Sequence, residues 1–538
     1  MSSEIAPLTP NPGAASVYPV QADGPEAPAD TGARIAETSV VTKADTLELT
    51  GQAPPAEAPD APVVVPPAAA LEQPGVGWRI GNWWSGTQVD TTLEAIDERH
   101  LDNPDLVDLA GRGLETVAAA AGVELERDGA SLTLRAGSDS ETYTLPSDPE
   151  ALAGTVEEVL ETLRRSSRAD ESWADVEANF IESLVPHLGP YAHFSPRQDR
   201  IPRSDFINGN GLNVRQGPNG TWFAMQPDPE SPAAEAGITH GTRITAIGDL
   251  QLSEATPEQV SEALDSDSVS VTFQIGAQTR TAQLESASFR RDAVTLDDVD
   301  ENGVGHIVIT RFDRDVATQV REILDGADPP LRGVVLDLRG NSGGNVSAAR
   351  ELVGLFQERR PLYRLEEADG DRWVASPDGA RYTDVPLAVL VDSETASAAE
   401  IVIGGLVRFP SRQEPSSGRF DENRAVVLGA STFGKATIQH TIGPLIGPRL
   451  TFNVGRVDGP FGHYEGRGYT PALCSGAVAS GATDMGAVNA MIAAGSSCEH
   501  ELRLGIPEDL GRARAILADP ALLERALRND ASVGLASP

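Results

Sequence analysis

Three features of the chain predict a multidomain α+β protein. Its 538 residues exceed what one hydrophobic core ordinarily organises. Residues 201–290 combine glycine turns with short alternating runs around one helical stretch. From about residue 300 onward, short β-branched runs alternate with helical spacing, the pattern of an α/β core built on crossovers. The expected divisions are a tether over 1–75, a mainly helical domain with a hairpin over 76–200, and a β-rich module over 201–290. An α/β core over 291–475 and a helical segment over 476–538 complete the chain.

The tether is rich in Pro, Ala and acidic residues, as in Ala53-Pro54-Pro55-Ala56-Glu57, a composition that favours extended, disordered chain. Trp78, Trp83 and Trp84 follow and read as anchors onto a folded surface. Alanine- and leucine-rich residues 93–121 predict one helix. Alternation over 125–145 around Asp128-Gly129 predicts a hairpin. Two further helices are expected over 149–165 and 172–188.

In the β-rich module, Gly209-Asn210-Gly211-Leu212-Asn213-Val214 is a glycine turn leading into a strand. Ser231-Pro232-Ala233-Ala234-Glu235-Ala236-Gly237-Ile238 precedes a strand beginning near Arg243. A helix opens at the Thr256-Pro257-Glu258 cap, and paired strands are expected over 269–275 and 279–284.

In the core, Ile307-Val308-Ile309 reads as a strand and 317–324 as a helix. Val334-Val335-Leu336 is a strand buried on both faces. It breaks into Arg339-Gly340-Asn341-Ser342-Gly343-Gly344, and apolar residues return at helical spacing over 346–356. Strand, glycine turn and helix start aim backbone N–H groups at a negative charge. No lysine follows Gly344, which argues against a P-loop; the stretch suits either a transition-state oxyanion or an ordinary tight turn between strand and helix. The strand 387–391 runs into Asp392-Ser393-Glu394-Thr395-Ala396-Ser397-Ala398. A serine at such a junction presents its Oγ beside free helix N–H groups; Ser393, Thr395 and Ser397 equally suit helix caps. Lys435 lies in Gly429-Ala430-Ser431-Thr432-Phe433-Gly434-Lys435-Ala436, an otherwise uncharged stretch. Burial there would lower its pKa and let the neutral amine take a proton from a hydroxyl.

With 80 acidic and 42 basic residues, the formal net charge is −38, a field that repels nucleic acid and anionic membrane surfaces. No apolar run is long enough for a transmembrane helix. Cys474 and Cys498 suit either one bridge or two inert thiols. Cys498-Glu499-His500 is too sparse for a zinc site, and no metalloprotease histidine motif occurs, so no metal is expected. His440 offers a Ser–His alternative.

The motifs together resemble the C-terminal processing (tail-specific) serine protease family with an embedded PDZ domain. Leu184-Val185-Pro186-His187 with Tyr191 is similar to the stretch that precedes the family's PDZ domain. Asp337-Leu338-Arg339-Gly340-Asn341-Ser342-Gly343-Gly344 is similar to its glycine loop. Thr395-Ala396-Ser397-Ala398-Ala399-Glu400-Ile401 resembles its nucleophile motif, and Thr432-Phe433-Gly434-Lys435 with Gln439 its lysine motif. Ser342 stands where proline is common, and Ala399 replaces a second serine. The resemblance implies a PDZ-like module inserted before a crotonase-like ββα protease core. It implies Ser397 as nucleophile, Lys435 as general base and Gln439 as the residue holding the amine. The oxyanion hole would be the N–H of Ala398 and one from Gly343–Gly344, with Asp421 in a supporting role. Gly209, Gly211, Leu212 and Val214 would bind a substrate's C-terminal tail as an added strand. It further implies a serine endopeptidase acting on protein substrates without a cofactor, in the periplasm or cell envelope, with a signal absent from this sequence. A non-catalytic peptide binder, or one activated by an adaptor protein, is the alternative on the same fold.

Overall fold

The computed structural model describes residues 87–528 and 534–535, apart from 137–138, 167–171, 199–205, 218–219, 229, 277, 291, 408–422, 444–446, 476–484, 495–497 and 499–507. The tether, the three tryptophans and Asp421 lie outside the described residues.

The run expected as one helix over 93–121 is two, Gln88–Arg99 and Leu106–Ala121. Between them Asn103 takes φ 44 and Pro104 cannot continue a helical ladder. Asp105 then restarts the helix by accepting the N–H groups of Val107 and Asp108. The hairpin at Asp128-Gly129 pairs Glu124–Asp128 with Ser131–Ala136, and a third strand, Asp139–Thr144, extends it. Helices Pro149–Ser166 and Trp173–Leu184 follow. The second ends at Leu184, short of the expected 188, where Pro186 belongs to a 3-10 turn, Val185–His187. Leu93, Leu114, Leu160 and Phe180 meet in the core of this unit, together with Leu450 and Phe452 from a strand far along the chain.

The β-rich module hangs on a stem, Phe206–Gly209 antiparallel to Ala287–Arg290. Its sheet runs Gln278–Glu285, Ser268–Ile275, Arg243–Ile247, Trp222–Ala224, Val214–Gln216, with Val214–Gln216 at one edge. Thr256 and Gln259 form a reciprocal capping box on helix Pro257–Leu264.

The core sheet orders Val294–Val299, Val304–Ile309, Gly333–Asp337, Leu387–Val391, Val426–Gly429 and Leu473–Cys474. The first pair is antiparallel and the remaining pairs are parallel. Alternate side chains divide between two faces, as a pleated strand requires. Ile307, Leu336, Val389 and Val427 pack against helices Val316–Gly326, Val346–Phe356 and Ala398–Leu406. Val335, Leu390, Leu428 and Leu473 pack against the C-terminal helices Met485–Ala494, Glu508–Ala518 and Pro520–Arg528. Both faces are covered, so the strands read as uninterrupted apolar runs. A second antiparallel sheet, which the sequence did not announce, orders Gly370–Ala375, Pro361–Glu367, Gly447–Gly459 and Thr437–Ile442.

Leu336 is fully buried in the middle of the central strand. Leu336→Ala is expected to lower unfolding stability by about 2–5 kcal/mol, read from urea denaturation.

Candidate active site

Three neighbouring parallel strands, Gly333–Asp337, Leu387–Val391 and Val426–Gly429, end at the same edge of the core sheet. The segments that follow them carry Gly343–Gly344, Ser397 and Lys435 respectively. The parallel register therefore gathers residues that are far apart in sequence, and this is the edge at which open α/β sheets place ligands.

Ser397 precedes helix Ala398–Leu406 with φ 56 and ψ −119. A non-glycine residue in that region is strained, and the turn must be held from outside. Glu400 holds it. This carboxylate is fully buried. Its Oε2 accepts the N–H of Ser397 at 2.8 Å and of Lys435 at 2.9 Å. Its Oε1 accepts the Thr432 hydroxyl at 2.6 Å and the Gly434 N–H at 2.8 Å. Burial pushes its pKa up to about 7, against the pull of those donors. One oxygen atom thus fixes the backbones of both the serine and the lysine. The sequence reading passed over Glu400 except as part of a motif. The signal was there, as a carboxylate at capping-box spacing from Ser397 in an otherwise apolar helix. Thr395 closes the same turn, donating its hydroxyl to Leu338 O at 2.9 Å.

Lys435 is partly buried, and its amine donates to Gln439 Oε1 at 2.7 Å. Among the described residues no hydrogen bond joins that amine to the Ser397 hydroxyl. Gln439 Nε2 donates to Tyr191 O at 2.7 Å, so the amide orienting the lysine is itself oriented. Burial lowers the lysine pKa, opposed by the nearby carboxylates of Glu465 and Glu400.

The glycine loop packs onto the serine turn. A Cβ on Gly343 would stand 2.7 Å from Ser397 Cβ and 2.9 Å from Ala398 N; on Gly344 it would stand 2.4 Å from Phe312 O. Both have positive φ, 101 and 137, so only glycine fits. The Gly343 N–H is already given to Asn341 Oδ1 at 2.8 Å. The N–H groups of Gly344 and Ala398 have no protein acceptor among the described residues. Asn341, fully buried, also donates to Ile309 O at 2.7 Å.

At the root of this loop Arg339 pairs with Asp337, Nε to Oδ1 at 2.8 Å and Nη2 to Oδ2 at 2.5 Å. Burial alone would raise the Asp337 pKa, but the guanidinium outweighs it and holds the carboxyl well below its usual range. His306 places Nδ1 3.1 Å from Asp297 Oδ2 and Nε2 3.1 Å from Asp337 Oδ2. Burial works against the imidazolium, yet the two carboxylates push its pKa up to about 9.

The β-rich module touches the serine turn. His240 Nε2 lies 2.5 Å from Asp392 Oδ2, with both side chains buried, and Arg215 pairs with Glu394. Within the module, Gly209 ends the stem strand, and a Cβ on Gly211 would collide with Ser231. Leu212 gives its N–H to Asn210 Oδ1 at 2.9 Å. The side chains of Leu212 and Val214 are buried in the module's core, and Val214 opens the edge strand.

His440 meets Arg99, whose guanidinium donates to its Nε2 at 3.2 Å. Asp421 lies outside the described residues. Nearby Arg424 donates to the carbonyls of Phe356, Tyr382 and Val385, a structural role. Cys474 and Cys498 are joined in a disulfide, so Cys498 is no metal ligand.

Residues 303–445 match the sequence pattern of peptidase family S41. The chain is 28% identical over 280 residues to a carboxyl-terminal-processing protease of Picosynechococcus sp., covering 50% of this chain and 64% of that protein. It is 26% identical over 304 residues to a CtpA-like serine protease of Staphylococcus aureus, covering 54% of this chain and 58% of the relative. It thus spans 58–64% of the length of these curated relatives. Among solved structures, it is similar to the photosystem II D1 C-terminal processing protease at 19% identity and TM-score 0.43, covering 81% of this chain and 99% of that one.

In Glu400→Gln the amide oxygen can keep the N–H groups of Ser397 and Lys435. The NH₂ then faces the Thr432 hydroxyl, which can accept it, and the Gly434 N–H, which loses its acceptor. The substitution is expected to cost about 1–3 kcal/mol for that buried donor left unsatisfied, measured by urea denaturation. His306 has a raised folded pKa, so its stabilisation is complete below the ordinary value near 6.5 and is lost as pH rises through about 9. Denaturation midpoints should fall across that window in the wild type, and His306→Gln should flatten the fall.

Proposed function

We propose that this chain, which carries a peptidase family S41 domain over residues 303–445, is a serine endopeptidase with a Ser397–Lys435 dyad. The observation that carries this reading is the single Glu400 oxygen that accepts the N–H groups of both residues. It sits beside a glycine loop whose Gly344 N–H has no acceptor among the described residues.

The neutral Lys435 amine takes the proton of Ser397 Oγ as the oxygen attacks the scissile carbonyl. The N–H groups of Gly344 and Ala398 receive the tetrahedral oxyanion; Gly343, whose N–H is held by Asn341, contributes the close approach instead. The lysinium returns its proton to the leaving amine, leaving an acyl-enzyme. Water, deprotonated by the same amine, then attacks the ester, and the lysinium returns the proton to Ser397 Oγ as the acyl group leaves as an acid. Gln439 keeps the amine on station. Asp421 keeps the supporting role its motif implies, and the chemistry calls for no cofactor.

In the same reading, residues 201–290 form a PDZ-like module and residues 291–475 a crotonase-like core. The module's edge strand, Val214–Gln216, takes the substrate's C-terminal tail as an added strand, with the Gly209–Leu212 turn at the tail's end. The module's contacts at Asp392 and Glu394 set that tail near the serine turn. The setting is the periplasm or cell envelope, where a disulfide such as Cys474–Cys498 persists. A second reading, a protease assembled by an adaptor protein, is favoured by one observation: the amine is hydrogen-bonded to Gln439 and not to Ser397.

The test is cleavage of an unfolded protein with an apolar C-terminus. The wild type should cleave it and Ser397→Ala should not. Lys435→Met should lose at least about a hundredfold in rate, the scale of general-base catalysis. Equal cleavage by all three rejects the dyad. Cleavage only after adding an envelope extract selects the adaptor reading, and none under any condition selects a peptide binder.

A further inference from the structure

We propose that Tyr191 and Glu465, both outside the residues matched to family S41, form a positioning pair that sets the seat and the basicity of the Lys435 amine. This rests on the reading of Lys435 as the base. The Lys435 Nζ lies 5.1 Å from the centroid of the Tyr191 ring. The Tyr191 hydroxyl donates to Glu465 Oε1 at 2.7 Å. The other oxygen of Glu465 accepts the N–H of Ala436, the residue after the lysine, at 2.7 Å. The Tyr191 carbonyl accepts Gln439 Nε2. One tyrosine therefore meets the lysine by its ring and the lysine's partner by its backbone. A carboxylate ties that tyrosine to the lysine's own chain.

The backbone is bent to achieve this. Tyr191 has φ 66, an outlying conformation for a bulky residue, which persists only where its surroundings impose it. Asn453 Nδ2 donates to the preceding carbonyl, Pro190 O, at 2.8 Å, pinning the segment to the second sheet.

The chemical consequence follows from charge. An aromatic face attracts an ammonium and does little for a neutral amine. The pair therefore favours the lysinium that forms once the serine proton has moved. The charged and titratable groups facing the amine are Glu400 from helix Ala398–Leu406, Glu465 from the turn after Gly462–His463, and Tyr191 from the segment before His193–Gln198. Glu400 is spent on four donors and Glu465 on two. No ion pair joins either to Lys435 among the described residues, so both act on the amine through their field. Burial and Glu465 hold the phenol pKa well above its ordinary value, so Tyr191 remains the donor throughout.

The test reads the amine directly. The full chain is acylated with acetic anhydride across a pH series, and Lys435 modification is followed by mass spectrometry. Glu465→Gln removes a negative charge and should move the labelling midpoint to lower pH. Tyr191→Leu removes the ring face and should move it the same way, while Tyr191→Phe keeps the ring and should stay closer to the wild type. Where the chain cleaves substrate, the acid limb of kcat/KM should shift with the labelling midpoint. The plateau should fall about tenfold in Tyr191→Leu. Coincident midpoints in wild type, Glu465→Gln and Tyr191→Leu overturn the proposal. If Tyr191→Leu fails to fold by circular dichroism, the near-isosteric Glu465→Gln decides alone. Labelling requires no turnover, so a wild type inert with and without the envelope extract would reject the protease reading while the midpoints still judge the pair.

Discussion

A buried carboxylate with four donors around it is the constraint on which the site depends. Glu400 sits on the first turn of a helix whose other residues are all apolar or glycine and buried. Its charge would be prohibitively costly there without compensation. The compensation is the site itself: the backbone of the strained serine turn, the Thr432 hydroxyl and two N–H groups from the lysine segment. The donors need the carboxylate as much as it needs them, because each would otherwise be an unsatisfied buried group. This mutual dependence lets a serine keep positive φ and lets two segments from neighbouring strand ends keep a fixed relation.

Around that centre the architecture works by register. Parallel pairing of Gly333–Asp337, Leu387–Val391 and Val426–Gly429 aligns their ends, and small residues let the following loops interleave. Gly343 is pressed against Ser397 and Gly344 against Phe312, at separations no side chain could occupy. Buried polar ties fix each loop from behind: Asp337 with Arg339 and His306, Asn341 with Ile309, Asp392 with His240. The second sheet, reaching into the helical N-terminal unit through Leu450 and Phe452, brings Tyr191 under the lysine.

The legible parts of the sequence were those with a strong local signal. The core strands are continuous apolar runs, and Val346–Phe356 and Leu387–Val391 have the bounds that their periodicity implies. The glycine loop and the serine turn stood out as strand–turn–helix junctions, but their residues alone suited an ordinary turn and a helix cap equally; only the resemblance of the four motifs taken together singled out Ser397. The break at Asn103-Pro104 was missed because flanking helical composition outweighed one proline. The second sheet was missed because a strand such as Gly447–Gly459 buries polar residues, Thr451 and Asn453, beside apolar ones, so no clean alternation marks it, and its pairing is non-local. Glu400, Tyr191 and Glu465 were invisible as a group for the same reason. Nothing in the spacing of positions 191, 400 and 465 says that they converge; only the folded chain does.

The outer face of the core sheet, lined by Val335, Leu390 and Leu428, is sealed by helices that follow it in the chain, between residues 485 and 528. Residues 485–528 must therefore have been made before this sheet can be roofed on both sides. Until then the strands that carry the serine and the lysine lie against water on one face, with an apolar surface bare. Closure of the core is thereby tied to helices that follow the sheet in the chain, and a chain stalled or clipped before residue 485 leaves that face of the sheet open.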